Sequence, residues 1–413
     1  MLPAGVVLGL TASAYLVFAG YGVLRRVLNQ RQIDRIAEDL LRARLHTALV
    51  EQADREQIRL HWNGLRKFLV DRKVTESHDT TSFYLKPHDG KSLPLFHAGQ
   101  FLTFRLHVPG EQRAVVRCYS LSSGPDSETY RITVKRVKDG VASQFLHDCV
   151  QAGDLLDVMA PRGDFCIEPS HNRPTVLLAG GVGVTPLLSM AYSLTRSRAG
   201  AGAETWLIYS VRTAVDCLLK DELQELTETN QNLHIRVGMS GSPDDAAADF
   251  HGRISLDYLK GILASNNYDF YICGPPPMMK SLVADLREWG VPPTSIHTEA
   301  FGASSVQVVS AAMKTRDAGN DQRNKTDDTG VTVNFAKSAK TGTWTGQAAN
   351  LLSFAESLDI DIDAGCRAGS CGSCVTAIRS GSVQYLETPG YLCEDNTCLP
   401  CVALPDGQLE LDA

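Results

Sequence analysis

At 413 residues, with 43% hydrophobic, 7% aromatic and 21% charged side chains, the chain can hold two to four domains of about 100–200 residues, which excludes a lone small module and a disordered or fibrous chain. A net charge of −7, from 40 Lys+Arg against 47 Asp+Glu, excludes an overall basic nucleic-acid footprint. That charge is uneven, because from Val331 to Ala413 ten acids face four bases, a net of −6.

Leu2 to Leu24 is a run of 23 residues without a charge. As a helix at 1.5 Å per residue it reaches roughly 34 Å, enough to cross a hydrocarbon core of about 30 Å. A cleaved signal peptide, the alternative, carries positive charge before its apolar run and a small-residue cleavage site after it. Here Arg25, Arg26, Arg31 and Arg35 follow the run instead. Residues 1–25 are therefore read as a single-pass transmembrane anchor, and the arginines keep everything after it on the cytoplasmic side. Residues 26–60 carry Ile33, Ile36, Leu40, Leu41, Leu45 and Leu49 at helical spacing among alternating charges, which reads as a juxtamembrane helix or a plain connector.

From 61 to 168 the pattern changes to short β-branched and aromatic runs, Arg66–Val74, Ser82–Lys86, Phe101–Val108, Tyr130–Val137 and Asp154–Met159, punctuated by Gly and Pro. That pattern predicts a small antiparallel β-barrel. Within it, Arg117-Cys118-Tyr119-Ser120 lies on one strand, where alternation sends Arg117 and Tyr119 to one face and Cys118 and Ser120 to the other. Gly140-Val141-Ala142-Ser143 then opens a short helix whose free N–H groups suit a phosphate.

Residues 169–302 alternate strand and helix, which predicts a doubly wound parallel α/β sheet. Strand Thr175–Ala179 runs into Gly180-Gly181-Val182-Gly183-Val184-Thr185-Pro186 and a helix from Leu187 to Thr195. Glycines at such a turn let the backbone approach a pyrophosphate at the helix N-terminus; a tight turn is the plainer reading. Strands at Thr205–Val211, His234–Val237 and Phe270–Cys273 follow, with helices at Leu218–Leu226 and Lys280–Trp289. The last strand ends in Cys273-Gly274-Pro275-Pro276-Pro277-Met278-Met279, at the carboxyl edge where such sheets bind ligands. Beyond the second strand, Arg212 and Asp216 offer one base and one acid; an acid at the ribose disfavours a 2′-phosphate and an arginine welcomes one. The reading adopted is NADH, with NADPH as the alternative.

Residues 303–330 are read as a linker, since Gly319 to Gly330 has no apolar side chain with which to bury a core. In the last domain, 331–413, Cys366, Cys371 and Cys374 have the spacing C-x4-C-x2-C, with Cys401 further on. This is the plant-type 2Fe-2S spacing, held by four thiolates. A structural zinc site, which ordinarily uses paired C-x2-C knuckles, is the alternative.

The runs Arg117–Leu121 and Ser143–Asp148, the Cys273-Gly274-Pro275-x-x-x-Met279 turn and the segment Ile296–Gly302 together resemble the ferredoxin-NADP reductase superfamily, nearest the reductase half of flavohaemoglobins. That resemblance implies an FAD-binding barrel, with FMN as the alternative flavin. It implies that Tyr119 packs on the flavin ring, that Ser120 bonds near its reactive nitrogen, that Arg117 pairs with the pyrophosphate and that Ser143 caps it. It also sets Cys273 beside the nicotinamide and makes Phe301 the aromatic cover of the flavin. Ser120, Cys273, Glu299 and Phe301 are the candidate catalytic residues. Arg117, Tyr119, Ser120, Gly140, Ala142, Ser143, Gly181, Gly183, Thr185, Pro186, Arg212, Gly274, Pro275 and Met278 are the candidate cofactor-binding residues.

The C-terminal domain resembles plant-type ferredoxins, which implies a β-grasp fold. The same pattern makes Cys401, not the neighbouring Cys398 or Cys393, the fourth cluster ligand. This order of domains resembles the reductase components of oxygenases and the reductase of the hybrid-cluster protein. NAD(P)H gives a hydride and an iron–sulfur cluster takes single electrons, so the flavin between them does both. The expected activity is membrane-anchored transfer from NADH through FAD and 2Fe-2S to a redox metalloprotein such as an oxygenase, hydroxylase or desaturase. A membrane quinone reductase and a redox-sensing protein are the alternatives, and no nucleic-acid partner is expected.

Overall fold

Short β-branched and aromatic runs form the first domain of the computed structural model, which describes residues 62, 64–125, 127–168, 171–196, 203–241, 248–301, 330–367, 369, 371–385, 389, 391 and 393–413. The expected anchor at 1–25, the juxtamembrane helix at 26–60 and the linker at 303–330, apart from Gly330, lie outside the described residues. Among the described residues no helix is long and apolar enough to cross a membrane.

The first domain comprises β1 (Arg66–Ser77), β2 (Thr80–Pro87), β3 (Phe101–Leu106), β4 (Val115–Ser120), β5 (Tyr130–Lys135), α1 (Val141–Asp148) and β6 (Leu155–Val158). The strands pair antiparallel in the order β4-β3-β6-β1-β2-β5. A bridge from Leu121 to Ile132 joins the two outer strands, so the sheet closes into a barrel. Alternation fills its interior with Phe68, Val70, Phe83, Leu85, Leu102, Phe104, Ile132 and Val134, all fully buried. Leu146 of α1 plugs the same core. Each such side chain contributes about 1.5–3 kcal/mol relative to exposure.

The second domain comprises β7 (Thr175–Gly180), a 3₁₀ turn (Gly181–Gly183), α2 (Val184–Arg196), β8 (Thr205–Val211), α3 (Lys220–Thr229), β9 (Leu233–Met239), β10 (Phe250–His251), α4 (Leu256–Ile262), β11 (Asp269–Cys273), α5 (Pro276–Glu288) and β12 (Ile296–Glu299). All pairs are parallel, in the order β10-β9-β8-β7-β11-β12. Leu177 and Ala179 face one core layer with Leu187 and Leu223. Val176 and Leu178 face the other, with Leu259, Met279 and Leu282. The sheet is therefore wound on both faces, and its direction of growth reverses between β7 and β11. Helix α5 starts at Pro276, earlier than the Lys280 expected from apolar spacing, because prolines fit a first helical turn whose N–H groups have no intrahelical partner.

The third domain comprises β13 (Val331–Phe335), β14 (Lys340–Trp344), α6 (Leu351–Ser357), β15 (Thr376–Ser380), β16 (Val383–Tyr385), β17 (Thr397–Cys398), β18 (Ala403–Pro405) and β19 (Leu409–Leu411). Five strands run β14-β13-β19-β15-β17, with β13 and β19 parallel, and β16 pairs with β18. Helix α6 starts where Asn350 Oδ1 accepts the Ser353 N–H at 2.9 Å. It lays Leu351, Phe354 and Ala355 against Val333, Phe335, Leu409 and Leu411, one helix across a mixed sheet as in a β-grasp.

Candidate functional site

The reversal between β7 and β11 leaves a crevice at their carboxyl ends, the usual ligand position in such sheets. Two turns meet there backbone to backbone. A Cβ on Gly183 would stand 2.3 Å from the Cys273 carbonyl oxygen, and one on Gly274 would stand 3.0 Å from the Gly180 Cα. Gly181 has φ +54° and open space beside it, so the outer edge of the turn is bare backbone. Thr185 and Pro186 are buried in the first turn of α2, and the Thr185 hydroxyl donates to the Val182 carbonyl at 3.0 Å. Pro275 caps α5, and Met278 packs toward Gly180 from that helix. Gly181, Gly183, Thr185, Pro186, Gly274, Pro275 and Met278 thus share one edge, where a dinucleotide fits.

Arg212 stands exposed just beyond β8 on the same edge. The nearby acid is otherwise engaged: the Asp216 carboxylate accepts the Thr213 N–H at 3.0 Å and its hydroxyl at 2.7 Å. The acid counted in favour of NADH therefore caps its own turn.

Strand β12 carries Glu299 beside Cys273, its register partner on β11. Across the domain boundary, the Ser120 hydroxyl at the end of β4 donates to Glu299 Oε2 at 3.4 Å. Burial pushes the Glu299 carboxyl up to about 8, against the opposing pull of the Ser120 hydrogen bond. Burial also pushes the Cys273 thiol well above its ordinary range, and the Glu299 charge adds to that. Ser120, Glu299 and Cys273 therefore converge. Phe301, two residues on, is 38% exposed.

On β4, Tyr119 meets the Phe104 ring edge to face at 5.7 Å, and desolvation pushes its phenol up to about 12. Arg117 is exposed, with its guanidinium donating to the Val116 carbonyl at 2.7 Å. At the start of α1, the Ser143 hydroxyl donates to the Gly140 carbonyl at 3.0 Å and accepts the Val137 N–H at 3.1 Å. A Cβ on Gly140 would meet Ser143 Oγ at 2.7 Å, so the turn requires glycine. Ala142 is buried below it. The Ser143 hydroxyl thus holds the turn together, and the bare N–H groups of that turn are what it presents to a phosphate.

In the third domain the thiols pair two and two. The Cys366 N–H points at Cys371 Sγ and the Cys371 N–H at Cys366 Sγ, each at 3.3 Å, while Cys374 Sγ lies 3.2 Å from Cys401 Sγ. Among the described residues no three such side chains converge as they would on a single ion. Two dithiol pairs suit a two-iron cluster, each pair facing one iron, better than one tetrahedral zinc. The positive φ of Gly372, +73°, lets the loop turn tightly beneath the Tyr391 ring, which a Cβ there would strike at 2.3 Å. Hydrogen bonds from Cys118 and Cys366 hold the Cys371 thiol well below its ordinary range. The hydrogen bond between the Cys374 and Cys401 sulfurs draws the Cys374 thiol down and pushes that of Cys401 up. Cys398 is fully buried in β17 with Val333, Phe335 and Leu411, and desolvation pushes its thiol up to about 12.

The cluster loop sits against the barrel. Arg113 Nη1 lies 3.3 Å from Asp361 Oδ2, Arg105 lies 3.9 Å from Asp363, and the Arg162 guanidinium lies 4.9 Å over the Tyr391 ring. Two acids of the acidic C-terminal end thus face arginines of the same chain. Sequence spacing carried no signal for these contacts, nor for the buried Arg131 of β5, which pairs with Glu222 of α3 across the other domain boundary.

Family comparison adds to this geometry. Residues 67–167 match the oxidoreductase FAD-binding domain, 177–284 the oxidoreductase NAD-binding domain and 343–406 the 2Fe-2S iron-sulfur cluster binding domain. The chain is 38% identical over 251 residues to a flavohemoprotein of Halalkalibacterium halodurans, covering 58% of this chain and 61% of that protein. It is 39% identical over 249 residues to one of Deinococcus radiodurans, covering 59% and 60%. It thus spans about three fifths of the length of these relatives. Among solved structures, the FAD/NAD binding domain of the nitric oxide dioxygenase of Vibrio cholerae O1 biovar El Tor is 32% identical with a TM-score of 0.53, covering 58% of this chain and 100% of that one. Phthalate dioxygenase reductase, described as a modular structure for electron transfer from pyridine nucleotides to [2Fe-2S], is 26% identical with a TM-score of 0.53, covering 85% and 98%. The chain is an oxidoreductase that joins an FAD-binding domain and an NAD-binding domain to a C-terminal 2Fe-2S iron-sulfur cluster binding domain.

Proposed function

We propose that the chain is an NAD(P)H-dependent reductase that delivers single electrons through its 2Fe-2S domain to a redox metalloprotein, an oxygenase, hydroxylase or desaturase. The observation that carries this reading is the position of β4. Its Ser120 reaches Glu299 beside the nucleotide crevice, while its Cys118 packs against Gly365 of the cluster loop, where a Cβ would stand 3.1 Å from the sulfur. When bound, FAD takes a hydride from the nicotinamide and gives up electrons singly, and the cluster takes them one at a time.

The residues of the chain place and protect that chemistry. Gly183 and Gly274 keep the two turns close enough for bare backbone to line the crevice. Arg117, exposed on β4, suits a phosphate as a planar two-pronged donor. Glu299 can hold a proton near neutral pH and exchange it through the Ser120 hydroxyl, which lies 3.4 Å away. Cys366, Cys371, Cys374 and Cys401 would hold the cluster, with backbone N–H groups aimed at the first two sulfurs.

The uncharged run Leu2 to Leu24 and the arginines after it support an anchor that keeps these domains on the cytoplasmic side of a membrane. The test is steady-state NADH-driven reduction of ferricyanide, cytochrome c and quinone by the full chain and by a Cys371→Ser variant. Loss of cytochrome c reduction in the variant with ferricyanide reduction kept supports the reading. Quinone reduction that survives loss of the cluster favours a quinone reductase, and almost no turnover with any acceptor favours a sensor.

A further inference from the structure

We propose that Cys118 is a positioning residue between the flavin strand and the cluster: its thiol donates a hydrogen bond to the Cys371 sulfur and thereby raises the cluster's reduction potential. The inference rests on the reading of Cys371 as a cluster ligand.

Cys118 lies on β4 between Arg117 and Tyr119, so one peptide bond separates it from the side chain set toward the flavin site. Strand alternation turns it away from Tyr119 and toward the third domain. There its sulfur flanks Gly365 together with that of Cys371, two domains later in the chain. The approach depends on Gly365, since a Cβ at that position would stand 3.1 Å from Cys118 Sγ, 3.3 Å from Cys371 Sγ and 3.0 Å from Ser373 Oγ. A side chain at position 365 would press on both sulfurs, which would have to give by a few tenths of an ångström. On its other side, Cys118 Sγ lies 3.3 Å from the hydroxyl of Thr103, its register partner on β3, and Thr103 is buried. The thiol is therefore held from two sides.

A ligating sulfur is an anion and can only accept, so in the Cys118–Cys371 pair the proton belongs to Cys118, and Thr103 donates to Cys118 in turn. A donor to a cluster sulfur stabilises the more negative, reduced cluster and so raises its potential. The contact also sets the cluster loop against the strand that carries Tyr119 and Ser120, because Cys118, Tyr119 and Ser120 are consecutive.

The test is an anaerobic redox titration of the full holoenzyme, following the reduced cluster by electron paramagnetic resonance, in wild type and the Cys118→Ala, Cys118→Ser and Thr103→Val variants. Cys118→Ala should lower the potential by an amount that changes the one-electron equilibrium about tenfold, which is about 59 mV. Cys118→Ser, which keeps a donor, should recover most of the shift, and the flavin potential should not move. Thr103→Val should lower the cluster potential by less, and it decides the matter if the alanine variant fails to assemble. An unmoved potential in Cys118→Ala or, failing that, in Thr103→Val overturns the proposal. So does a serine variant that falls as far as alanine, since packing and not donation would then be at work. A wild-type chain with no reduced-cluster signal would overturn the cluster assignment itself, a different outcome from a normal signal with an unmoved potential.

Discussion

Ser120 and Glu299 come from different domains and lie 179 positions apart, yet the Ser120 hydroxyl donates to Glu299 Oε2 at 3.4 Å. The serine ends a barrel strand and the glutamate ends the last strand of the parallel sheet, so the contact forms only when both domains are folded and docked. It puts a proton-holding carboxyl where the flavin strand meets the nucleotide crevice.

The pH dependence of stability follows from that carboxyl. In the unfolded chain Glu299 ionises near its ordinary value of 4.5, whereas in the folded protein it keeps its proton up to about 8. Between those values the folded state binds more protons than the unfolded state, so Glu299 costs the fold increasing stability as pH rises, and the cost levels off above about 8. Glu299→Gln removes that dependence. Thermal unfolding of the flavin-free chain should show the variant gaining on wild type across this window; parallel profiles would refute the assignment.

Cys401 and Cys398 make opposite predictions. Cys401→Ser removes a sulfur 3.2 Å from Cys374 Sγ, so the visible absorbance of the cluster should be lost. Cys398→Ser places a hydroxyl in an apolar core at a cost of about 1–3 kcal/mol, and the cluster should remain. Cluster retention in the Cys401 variant would move the fourth ligand elsewhere.

The barrel and the nucleotide domain are clamped by Arg131. It is 3% exposed, pairs with Glu222, and donates from Nε to Ser122 Oγ at 3.0 Å, while the Tyr192 hydroxyl donates to the other oxygen of Glu222 at 2.6 Å. Glu222→Ala leaves a buried guanidinium without its counter-charge and should cost about 3 kcal/mol in urea unfolding. The double variant Arg131→Met with Glu222→Leu should recover most of that loss, because it removes the charge along with its partner.

Gly183→Ala sets a methyl group 2.3 Å from the Cys273 carbonyl oxygen, where only backbone can move. The two turns must separate, so stability should fall by about 1–3 kcal/mol and KM for NADH should rise at least tenfold. A variant with wild-type KM would show that the nucleotide does not sit on this edge.

The parts of this structure legible in the chain are those carried by neighbouring residues. Arg117–Ser120, Gly180–Pro186, Cys273–Met278 and the C-x4-C-x2-C loop each lie within about ten positions, so spacing alone exposes their chemistry. Contacts between distant residues left no such trace: Ser120 with Glu299, Arg131 with Glu222, and Cys118 with Cys371 depend on how finished domains dock. Strand β10 holds only Phe250 and His251, too short for a period of two to register. Asp216 looked like a group for the ribose until its turn closed on it, since a carboxylate three residues after a threonine serves a capping box equally well.

The central claim, that electrons pass from nicotinamide through the flavin domain to the 2Fe-2S domain of the same chain, is tested most directly by mixing the anaerobic holoenzyme with one equivalent of NADH in a stopped-flow instrument and freezing samples in parallel. The account predicts that flavin bleaching comes first and that the paramagnetic signal of the reduced cluster then grows at a rate independent of protein concentration. Full flavin bleaching with no cluster signal, or a signal whose rate rises with protein concentration, would contradict it.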